Sequence, residues 1–287
     1  MKGIRIMIVT VIGLGLIGGS FALQLKRNGF ANEVLGVESN KEHAKIAMER
    51  KLVDQVLPLS QAVQKSDLVL LAVSADATLK LLSSILDLVD QQTVMDVCSI
   101  KELICSNIKN HPKRENFVAS HPMAGTEYSG PKAAIEGLYN EKTVVLVETE
   151  KSGSKALDII NQMYQNLNMR IIMMNAEEHD KHAAYVSHIS HVSSMALALT
   201  VLEKEKNEKN IFDLAGGGFD STVRLAKSSP EMWSYIFTNN SKNILAVLDE
   251  YIDQVNRFKD LIYNNKESEI NGFIKSANKI EKILNNN

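Results

Sequence analysis

The chain has 287 residues, of which 45% are hydrophobic and 23% are charged, and its formal net charge is −2 at pH 7. This composition is typical of a globular protein and offers no basic surface for nucleic acid. No run approaches the ~20 apolar residues that a membrane span requires, and the amino terminus lacks the small-residue cleavage site of a signal peptide. Two cysteines, Cys98 and Cys105, are too few for a disulfide framework. We therefore expect a cytoplasmic protein that binds neither membranes nor nucleic acid. The length of the chain favours two domains over one.

The first predicted element is an apolar strand that runs directly into a glycine-rich turn. Residues 7–20, MIVTVIGLGLIGGS, contain the pattern G-x-G-x-x-G, and a helical segment over residues 20–26 follows. Such a turn presents backbone N–H groups to a pyrophosphate. Gly13 is expected to permit the tight turn, Gly15 to leave room for the phosphates and Gly18 to let the helix pack against its strand. The other cofactor contacts predicted in this turn are Leu14, Leu16 and Ile17.

The second predicted strand, residues 33–37, ends in Glu38, which lies 20 positions after Gly18. A carboxylate at this position can accept hydrogen bonds from both hydroxyls of an adenosine ribose, and it would repel the 2′-phosphate of NADP. The alternative is a solvated carboxylate at a strand end. The pattern favours NAD, and we include Val73 and Ser74, at the end of the third predicted strand, among the expected cofactor contacts.

Short apolar runs alternate with amphipathic stretches as far as residue 174, which is typical of a parallel sheet covered by helices. The remaining predicted strands are residues 67–73, 93–97, 117–120, 143–148 and 170–174. Beyond them the pattern is helical, as in residues 177–205 and 241–261, and a loop is predicted at the three glycines 216–218. We expect an α/β, Rossmann-type dinucleotide-binding domain over residues 1–174, followed by an all-α substrate-binding and dimerisation domain over residues 175–287. Long apolar-faced helices such as residues 244–261 need a covering surface, which predicts a homodimer.

Two polar residues follow predicted strands at the sheet edge where α/β proteins bind ligands. His121 comes after the strand 117–120 in the sequence SHPMAGTE, and Pro122 restricts it to extended backbone. This position suits a general base, and the alternative is a loop histidine with its ring in water. Ser99 closes the strand 93–97 and can hydrogen-bond a substrate or the nicotinamide amide, or it can simply cap a helix over residues 100–108.

Four of the seven histidines, His179, His182, His188 and His191, fall on one predicted helix. At about 100° per residue, His188 and His191 share a face and the other two point roughly the opposite way, so that only one pair can face the cofactor crevice. Zinc binding is an alternative. The spacing H-E-x-x-H is absent, no cysteine is near, and transfer of a hydride to nicotinamide needs no metal, so we predict no metal site.

The segment DSTVRLAKSSP, residues 220–230, contains Arg224. A guanidinium offers a rigid fork of donors to a carboxylate, so an arginine near the crevice would orient an acidic substrate. The alternative is an ordinary surface arginine.

Together these motifs resemble the prephenate dehydrogenase family along essentially the whole chain. The glycine turn of that family is similar to residues 13–19, its D-x-G-S strand end to residues 96–99 and its H-P-x-A-G-T-E loop to residues 121–127. Its S-H-x-x-H helix resembles residues 187–191, and its T-R-x-A-x-S-x-P-x-M-W segment resembles residues 223–233. Cys98 stands where the family usually has glycine, which bears on the backbone beside Ser99. Ser190 stands in place of the usual proline, and Val223 in place of a common threonine.

The resemblance implies NAD-dependent oxidative decarboxylation of prephenate to 4-hydroxyphenylpyruvate in tyrosine biosynthesis, by a homodimer with interlocked helical domains. It implies that His121 draws the proton from the ring hydroxyl as hydride leaves the same carbon, and that Ser99 shares this hydroxyl. His191, helped by His188, and Arg224 would bind the substrate carboxylates.

For two more residues the resemblance implies supporting roles. Glu127 would be a gating or network carboxylate, and Trp233 would line the pocket or support Arg224.

Three alternatives stay open at this point. Arogenate has an amine where prephenate has the side-chain ketone, and a single sequence does not distinguish these substrates. A β-hydroxyacid dehydrogenase pairs similar domains but relies on a catalytic lysine, and the helix that carries His188 and His191 argues against it. A non-catalytic NAD sensor would bind the cofactor without turnover.

Overall fold

The computed structural model describes residues 7–206, 208 and 210–284. The chain divides after Ser241 into two compact units. The first unit contains the sheet, the helices that cover it and further helices as far as Asn239, and the second contains the remaining helices.

An eight-stranded sheet forms the centre of the first unit. Its strands are β1 (Ile8–Ile12), β2 (Glu33–Val37), β3 (Gln55–Val56), β4 (Leu68–Leu71), β5 (Thr93–Asp96), β6 (Phe117–Pro122), β7 (Thr143–Val147) and β8 (Arg170–Met174). Their order across the sheet is β3-β2-β1-β4-β5-β6-β7-β8. The apolar runs of the sequence predicted all of them except β3, whose two residues are too few to produce a pattern.

Two neighbouring strands, β7 and β8, run against the other six, whereas the sequence predicted a parallel sheet. β7 pairs antiparallel with β6, while the remaining neighbours pair parallel. A parallel neighbour needs a crossover, usually a helix. The connection between β6 and β7 contains the short 3₁₀ turn Pro131–Ala133 in place of a crossover helix, so β7 returns beside β6 in the opposite direction.

Helices cover both faces of the sheet and complete the first unit. They are α1 (Leu16–Arg27), α2 (Lys41–Glu49), α3 (Leu59–Lys65), α4 (Ala75–Leu88), α5 (Glu102–Asn107), α6 (Ser154–Asn166), α7 (Ala176–Ala183), α8 (Ile189–Glu205), α9 (Gly217–Val223) and α10 (Pro230–Asn239). A π-helical stretch, Ala184–His188, joins α7 to α8 without a break. Side-chain caps from Asn40, Ser74 and Ser229 begin α2, α4 and α10.

The prediction of a loop at residues 216–218 is wrong. Gly216 is the N-cap of α9, and Gly217 and Gly218 form its first turn. Glycine is a favourable N-cap residue. The conformational entropy that a glycine loses destabilises a helix mainly when the glycine lies in the helix interior, and Gly217 and Gly218 lie at its end.

Alternation along the strands divides the buried side chains between two hydrophobic cores. Val9 and Val11 of β1 lie in the first core with α1 and α6, while Ile12 lies in the second with α4 and α5. The same alternation holds in β4 and β7, so both faces of the sheet are covered. The carboxyl ends of β1, β4 and β5 therefore form one edge that the helices leave accessible to a ligand.

The second unit consists of α11 (Ser241–Tyr263), α12 (Glu267–Ala277) and α13 (Ile280–Leu284). The rings of Phe258 and Phe273 stack with their centroids 5.0 Å apart and hold α11 against α12. Many of its large apolar side chains are exposed: Leu245, Tyr251, Ile252, Val255, Ile262, Tyr263, Ile274, Ile280, Ile283 and Leu284.

The sequence expectation that no segment is apolar enough to span a membrane needs correction. In the described part of the chain one helix, Ala176–Glu205, is long and apolar enough by length and composition, and its most apolar window has a mean hydropathy of 1.2. Its first turns carry buried polar residues, among them His179 and Asp180, whereas most of its apolar window is not buried.

Candidate active site

The glycine turn lies between β1 and α1, and its three glycines occupy different environments. Gly13 adopts a left-handed φ of +90°, and its N–H donates to the carbonyl of Val37 (2.9 Å). A Cβ atom at Gly18 would lie 2.0 Å from the Gly13 carbonyl oxygen, whereas one at Gly15 would meet no described atom within 4 Å. Helix geometry leaves the first N–H groups of α1, from Leu16 to Gly18, without intrahelical acceptors. The turn thus combines unpaired donors with open space, as a pyrophosphate requires.

These environments predict opposite results for two alanine substitutions. Gly18→Ala forces a backbone shift and should destabilise the fold by about 1–3 kcal/mol, since overpacking has costs of this order. Gly15→Ala should leave the melting temperature unchanged and weaken NAD binding at least about tenfold, which corresponds to about 1.4 kcal/mol. Thermal unfolding and NAD titration of both variants test this, and equal melting temperatures would contradict it.

Glu38 follows β2 and is tied to the glycine turn. Its carboxylate accepts hydrogen bonds from the backbone N–H groups of Leu14 (3.0 Å) and Asn40 (2.9 Å). It is half-buried, unlike the solvated carboxylate of the alternative interpretation. At the neighbouring end of β4, the Val73 side chain packs beside Gly13 and Ser74 caps α4. The predicted cofactor residues therefore surround one edge of the sheet.

His121 lies inside β6 and not after it as predicted, because pairing with β7 extends the strand to Pro122. The side chain is buried, and its Nδ1 lies 2.8 Å from Nε2 of His179 on α7. Burial, assisted by His179, Lys101 and His188, holds the pKa of His121 well below its ordinary value. The imidazole is therefore neutral at pH 7 and able to accept a proton.

Asp180 connects this pair to the end of β5. Its carboxylate accepts hydrogen bonds from the backbone N–H groups of Lys101 (2.7 Å) and Glu102 (3.0 Å) at the start of α5. The same carboxylate lies 2.7 Å from Nδ1 of His179. The interpretation of Ser99 as a helix cap is therefore wrong, since α5 begins later than predicted and Asp180 supplies its cap. Ser99 is left half-buried beside this segment.

A buried ion pair supports the loop that carries Ser99. Lys101 Nζ and Asp96 Oδ2 are 2.5 Å apart, and both side chains are fully buried. The Cys98 N–H donates to the same Asp96 oxygen (2.9 Å), and Cys98 does not adopt a positive φ. Burial raises the pKa of the Cys98 thiol to about 12, so it stays protonated. The substitution of cysteine for the usual glycine leaves this backbone unstrained.

The π-helical stretch changes which histidines can approach one another. A constant rotation per residue places His179 and His188 on opposite faces. A π-helix has more residues per turn and shifts the phase of every residue that follows, which moves His188 relative to His179. Both rings are buried: His179 contacts His121, and His188 is linked to Asp180 through Asn240. His182 stays exposed.

Next to His191, two buried N–H groups, those of His188 and Trp233, have no acceptor among the described residues. Asn240 Nδ2 donates to Nδ1 of His188 (3.1 Å), which places the proton of the neutral His188 ring on Nε2. That atom and Nε1 of Trp233 are both buried without hydrogen-bond partners. The His191 ring stacks on Trp233 at a centroid distance of 3.5 Å. This cluster offers donors for an acceptor on a ligand.

The burial of His188 predicts a loss of stability in acid. Burial lowers its pKa to about 4 from an ordinary value near 6.5, so the unfolded chain binds the proton more tightly. The contribution to the free energy of unfolding is present above about pH 6.5 and is lost on acidification, by about 3 kcal/mol at pH 4. Urea unfolding at pH 7 and pH 4 tests this. The loss should be smaller in His188→Gln, and an equal loss in both proteins would contradict it.

Arg224 and Glu127, 97 positions apart, form an ion pair of 3.1 Å. Arg224 begins a 3₁₀ turn, Arg224–Lys227, that is held on α8 by a hydrogen bond from the Ala226 N–H to Ser194. The Glu127 backbone N–H and the guanidinium keep the pKa of Glu127 below its ordinary value. Both side chains are partly exposed, so a ligand can reach them.

Comparison with known proteins decides the family. A model described as the prephenate dehydrogenase nucleotide-binding domain matches residues 21–173, and one described as the prephenate dehydrogenase dimerization domain matches residues 175–276. The chain belongs to the prephenate dehydrogenase family. It is therefore an oxidoreductase with a nucleotide-binding domain of that family, and the sequence resemblance is confirmed.

Individual members of the prephenate dehydrogenase family match nearly the whole chain. The prephenate dehydrogenase of Bacillus subtilis is 28% identical over 277 residues, which cover 94% of this chain and 74% of the relative. The structure of prephenate dehydrogenase from A. aeolicus with hydroxyphenyl propionate and NAD+ has a TM-score of 0.86 and 29% identity, and the match covers 99% of each chain. The arogenate dehydrogenase of Synechocystis has a TM-score of 0.77 and 27% identity, with coverage of 97% and 100%.

Some residues of this family member's site were not predicted from its sequence. His179, Asp180 and Asn240 lie in the network below His121, and Lys101 pairs with Asp96. The one sequence feature that could have indicated this network is the adjacent pair His179 and Asp180 in a histidine-rich helix. No group of three or more potential ligand side chains within residues 7–206, 208 and 210–284 could hold a metal ion.

Proposed function

We propose that the protein catalyses the NAD-dependent oxidative decarboxylation of prephenate to 4-hydroxyphenylpyruvate, a step of tyrosine biosynthesis. The observation that carries the proposal is the buried, neutral His121 at the sheet edge that also holds the glycine turn. Its Nδ1 is engaged with His179, which leaves Nε2 for a substrate hydroxyl. A general base in such a position contributes about 10²- to 10⁴-fold in rate.

The cofactor is NAD. The N–H groups at the start of α1 and the open space at Gly15 suit its pyrophosphate. Glu38 suits the adenosine ribose, while Val73 and Ser74 flank the path towards the nicotinamide. Bound NAD supplies the hydride acceptor of the reaction.

His121 acts on the ring hydroxyl of prephenate. Its Nε2 takes the hydroxyl proton as hydride leaves the carbon that bears this group, and a carbonyl forms there. Conjugation with the new carbonyl allows the ring carboxylate to leave as carbon dioxide. The electron pair of the broken bond completes the aromatic ring and converts the carbonyl into a phenolate, which takes back the proton held by His121 and becomes the hydroxyl of the product. Ser99 hydrogen-bonds the same hydroxyl and orients it towards His121.

Separate donors bind the substrate carboxylates. Arg224 offers a fork of N–H groups and exchanges its partner Glu127 for a substrate carboxylate, which gives Glu127 a gating role. The unpartnered N–H groups of His188 and Trp233 suit a second acceptor of the substrate, and His191 is held beside them by stacking. Prephenate carries two carboxylates, which matches these two sets of donors.

Arogenate is the second candidate substrate, since a relative named arogenate dehydrogenase aligns with nearly the whole chain. The test is to assay the purified protein with prephenate and arogenate, each with NAD and NADP, by the absorbance of the reduced cofactor. We expect the highest kcat/KM with prephenate and NAD. Faster turnover of arogenate would support the alternative, and NAD binding without turnover of either substrate would overturn the proposal in favour of a sensor.

We further propose that the protein works in the cytoplasm as a homodimer through residues 175–287, which act as the substrate-binding and dimerisation domain, with residues 1–174 as the NAD-binding domain. The matching family model is described as a dimerization domain. The exposed apolar side chains of α8, among them Leu199 and Leu202, and those of α11 would be covered by the partner subunit. The apolar character of the helix Ala176–Glu205 is explained by such an interface.

A further inference from the structure

We infer that His179 and Asp180 are positioning residues that hold His121 in the one tautomer able to act as a base. This inference rests on the proposed function, because it concerns the proton acceptor of that reaction. The chain of contacts runs from the first N–H groups of α5 through the Asp180 carboxylate and the His179 ring to Nδ1 of His121.

The direction of this chain is set at Asp180. Its carboxylate receives two backbone N–H donors, from Lys101 and Glu102, and a carboxylate in this state can only accept hydrogen bonds. Nδ1 of His179, 2.7 Å away, must therefore carry the proton of that ring. Asp180 is buried, and water does not compete for its oxygens.

The polarity continues to His121. Because the neutral His179 ring has its proton on Nδ1, its Nε2 carries a lone pair, and it can only accept from Nδ1–H of His121 at 2.8 Å. The neutral His121 ring then has no proton on Nε2. The lone pair on Nε2 is the one that the proposed reaction uses.

The charges around the two rings agree with this assignment. His121 faces His179 from α7, His188 from the π-helical stretch and Lys101 before α5, and these groups and burial disfavour an imidazolium. Lys101 is itself paired with the buried Asp96. Burial lowers the pKa of His179, and the carboxylate of Asp180, which contacts that ring, opposes this effect.

The decisive variant is Asp180→Ala. The Asp180 oxygen that lies 2.7 Å from Nδ1 of His179 also accepts from the Lys101 N–H, so an asparagine could keep both contacts through its amide oxygen, whereas alanine removes the acceptor. Without it the His179 ring can carry its proton on Nε2 and donate to Nδ1 of His121, which leaves the His121 proton on Nε2. We expect kcat to fall at least about tenfold, as for a base that is no longer held in the active tautomer. NAD affinity and the KM for substrate should stay close to those of the wild type. The acid limb of kcat/KM should move to lower pH, since a negative charge is lost beside the rings.

Substitutions of His179 separate positioning from a structural role. The variant His179→Gln offers an amide oxygen to His121, and His179→Leu offers none, so the first should keep at least about tenfold more kcat. Asp180→Ala should cost little further activity in the His179→Gln background, because Asp180 acts through His179. Additive losses would mean that Asp180 acts only through stability. His182→Asn, an exposed histidine on the same helix, is the matched control and should behave as the wild type.

Nitrogen-15 NMR of the imidazole rings gives a readout that does not depend on turnover. In the wild type, His121 should show its proton on Nδ1, and in Asp180→Ala the form with the proton on Nε2 should appear. Wild-type kcat, pH profile and tautomer in Asp180→Ala would overturn the inference. If the wild type turns over neither prephenate nor arogenate but the tautomer still differs between wild type and Asp180→Ala, the proposed function is overturned and the positioning of His121 is kept.

Discussion

Replacing His121 by asparagine should lower kcat with prephenate about 10²- to 10⁴-fold and leave the dissociation constant of NAD unchanged. The asparagine amide can still donate to Nε2 of His179, which preserves the contact seen at Nδ1 of His121. The substitution removes the one nitrogen that faces the substrate in the proposed reaction. Because the phosphate-binding N–H groups belong to α1, they are not affected.

Steady-state kinetics and NAD titration of His121→Asn, side by side with the control His182→Asn, measure this effect. Unchanged kcat would exclude His121 as the base. Loss of NAD binding would assign His121 to the cofactor site and would remove the main support for the proposed mechanism.

Replacing Arg224 by alanine should raise the KM for prephenate about 10- to 150-fold with little change in kcat, since a hydrogen bond between charged groups contributes about 1.5–3 kcal/mol. The loss has two causes. The substrate carboxylate loses the guanidinium, and Glu127 loses its partner and repels the incoming anion. Arg224→Lys should recover part of the affinity, because an ammonium keeps the charge but not the bidentate geometry.

Arg170 provides the control for this measurement. It is exposed on β8, where its guanidinium hydrogen-bonds the Thr143 hydroxyl, and Arg170→Ala removes the same charge away from the candidate site. Equal KM values for Arg224→Ala and Arg170→Ala would show that Arg224 does not bind the substrate. A decrease in kcat without a change in KM would instead show that Arg224 interacts with the substrate only in the transition state.

The proposed roles of the site residues depend on one another. Ser99 is positioned by the loop that Asp96 and Lys101 hold, and the start of α5 that follows is capped by Asp180. The same Asp180 reaches His121 through His179. A substitution in this network therefore acts on the base and on the loop of Ser99 together, which is why the tests above combine kinetics with a measurement of stability or tautomer.

Features encoded locally could be predicted from the sequence. The bounds of β2 and β8 agree with the prediction, because in each strand a charged first residue, Glu33 or Arg170, is followed by a short run of apolar residues, with one glycine in β2, that ends at a polar one. Gly13 and Gly18 stand where the turn needs a positive φ and a close helix contact. The family motifs around His121 and Arg224 are also contiguous in the chain, so they were visible before the structure.

Features that depend on a partner from elsewhere in the chain were decided by tertiary structure. The direction of β7, the extension of β6 over His121 and the cap that Asp180 supplies to α5 each join segments distant in sequence. The π-helical stretch at residues 184–188 has no periodic signal of its own, and it shifts His188 relative to His179 so that both rings are buried. The sequence by itself determined the cofactor turn and the candidate catalytic side chains, because these lie in short contiguous motifs. Only the tertiary structure decided which residues contact His121, the proposed base, since its hydrogen-bonded partners are distant in the sequence.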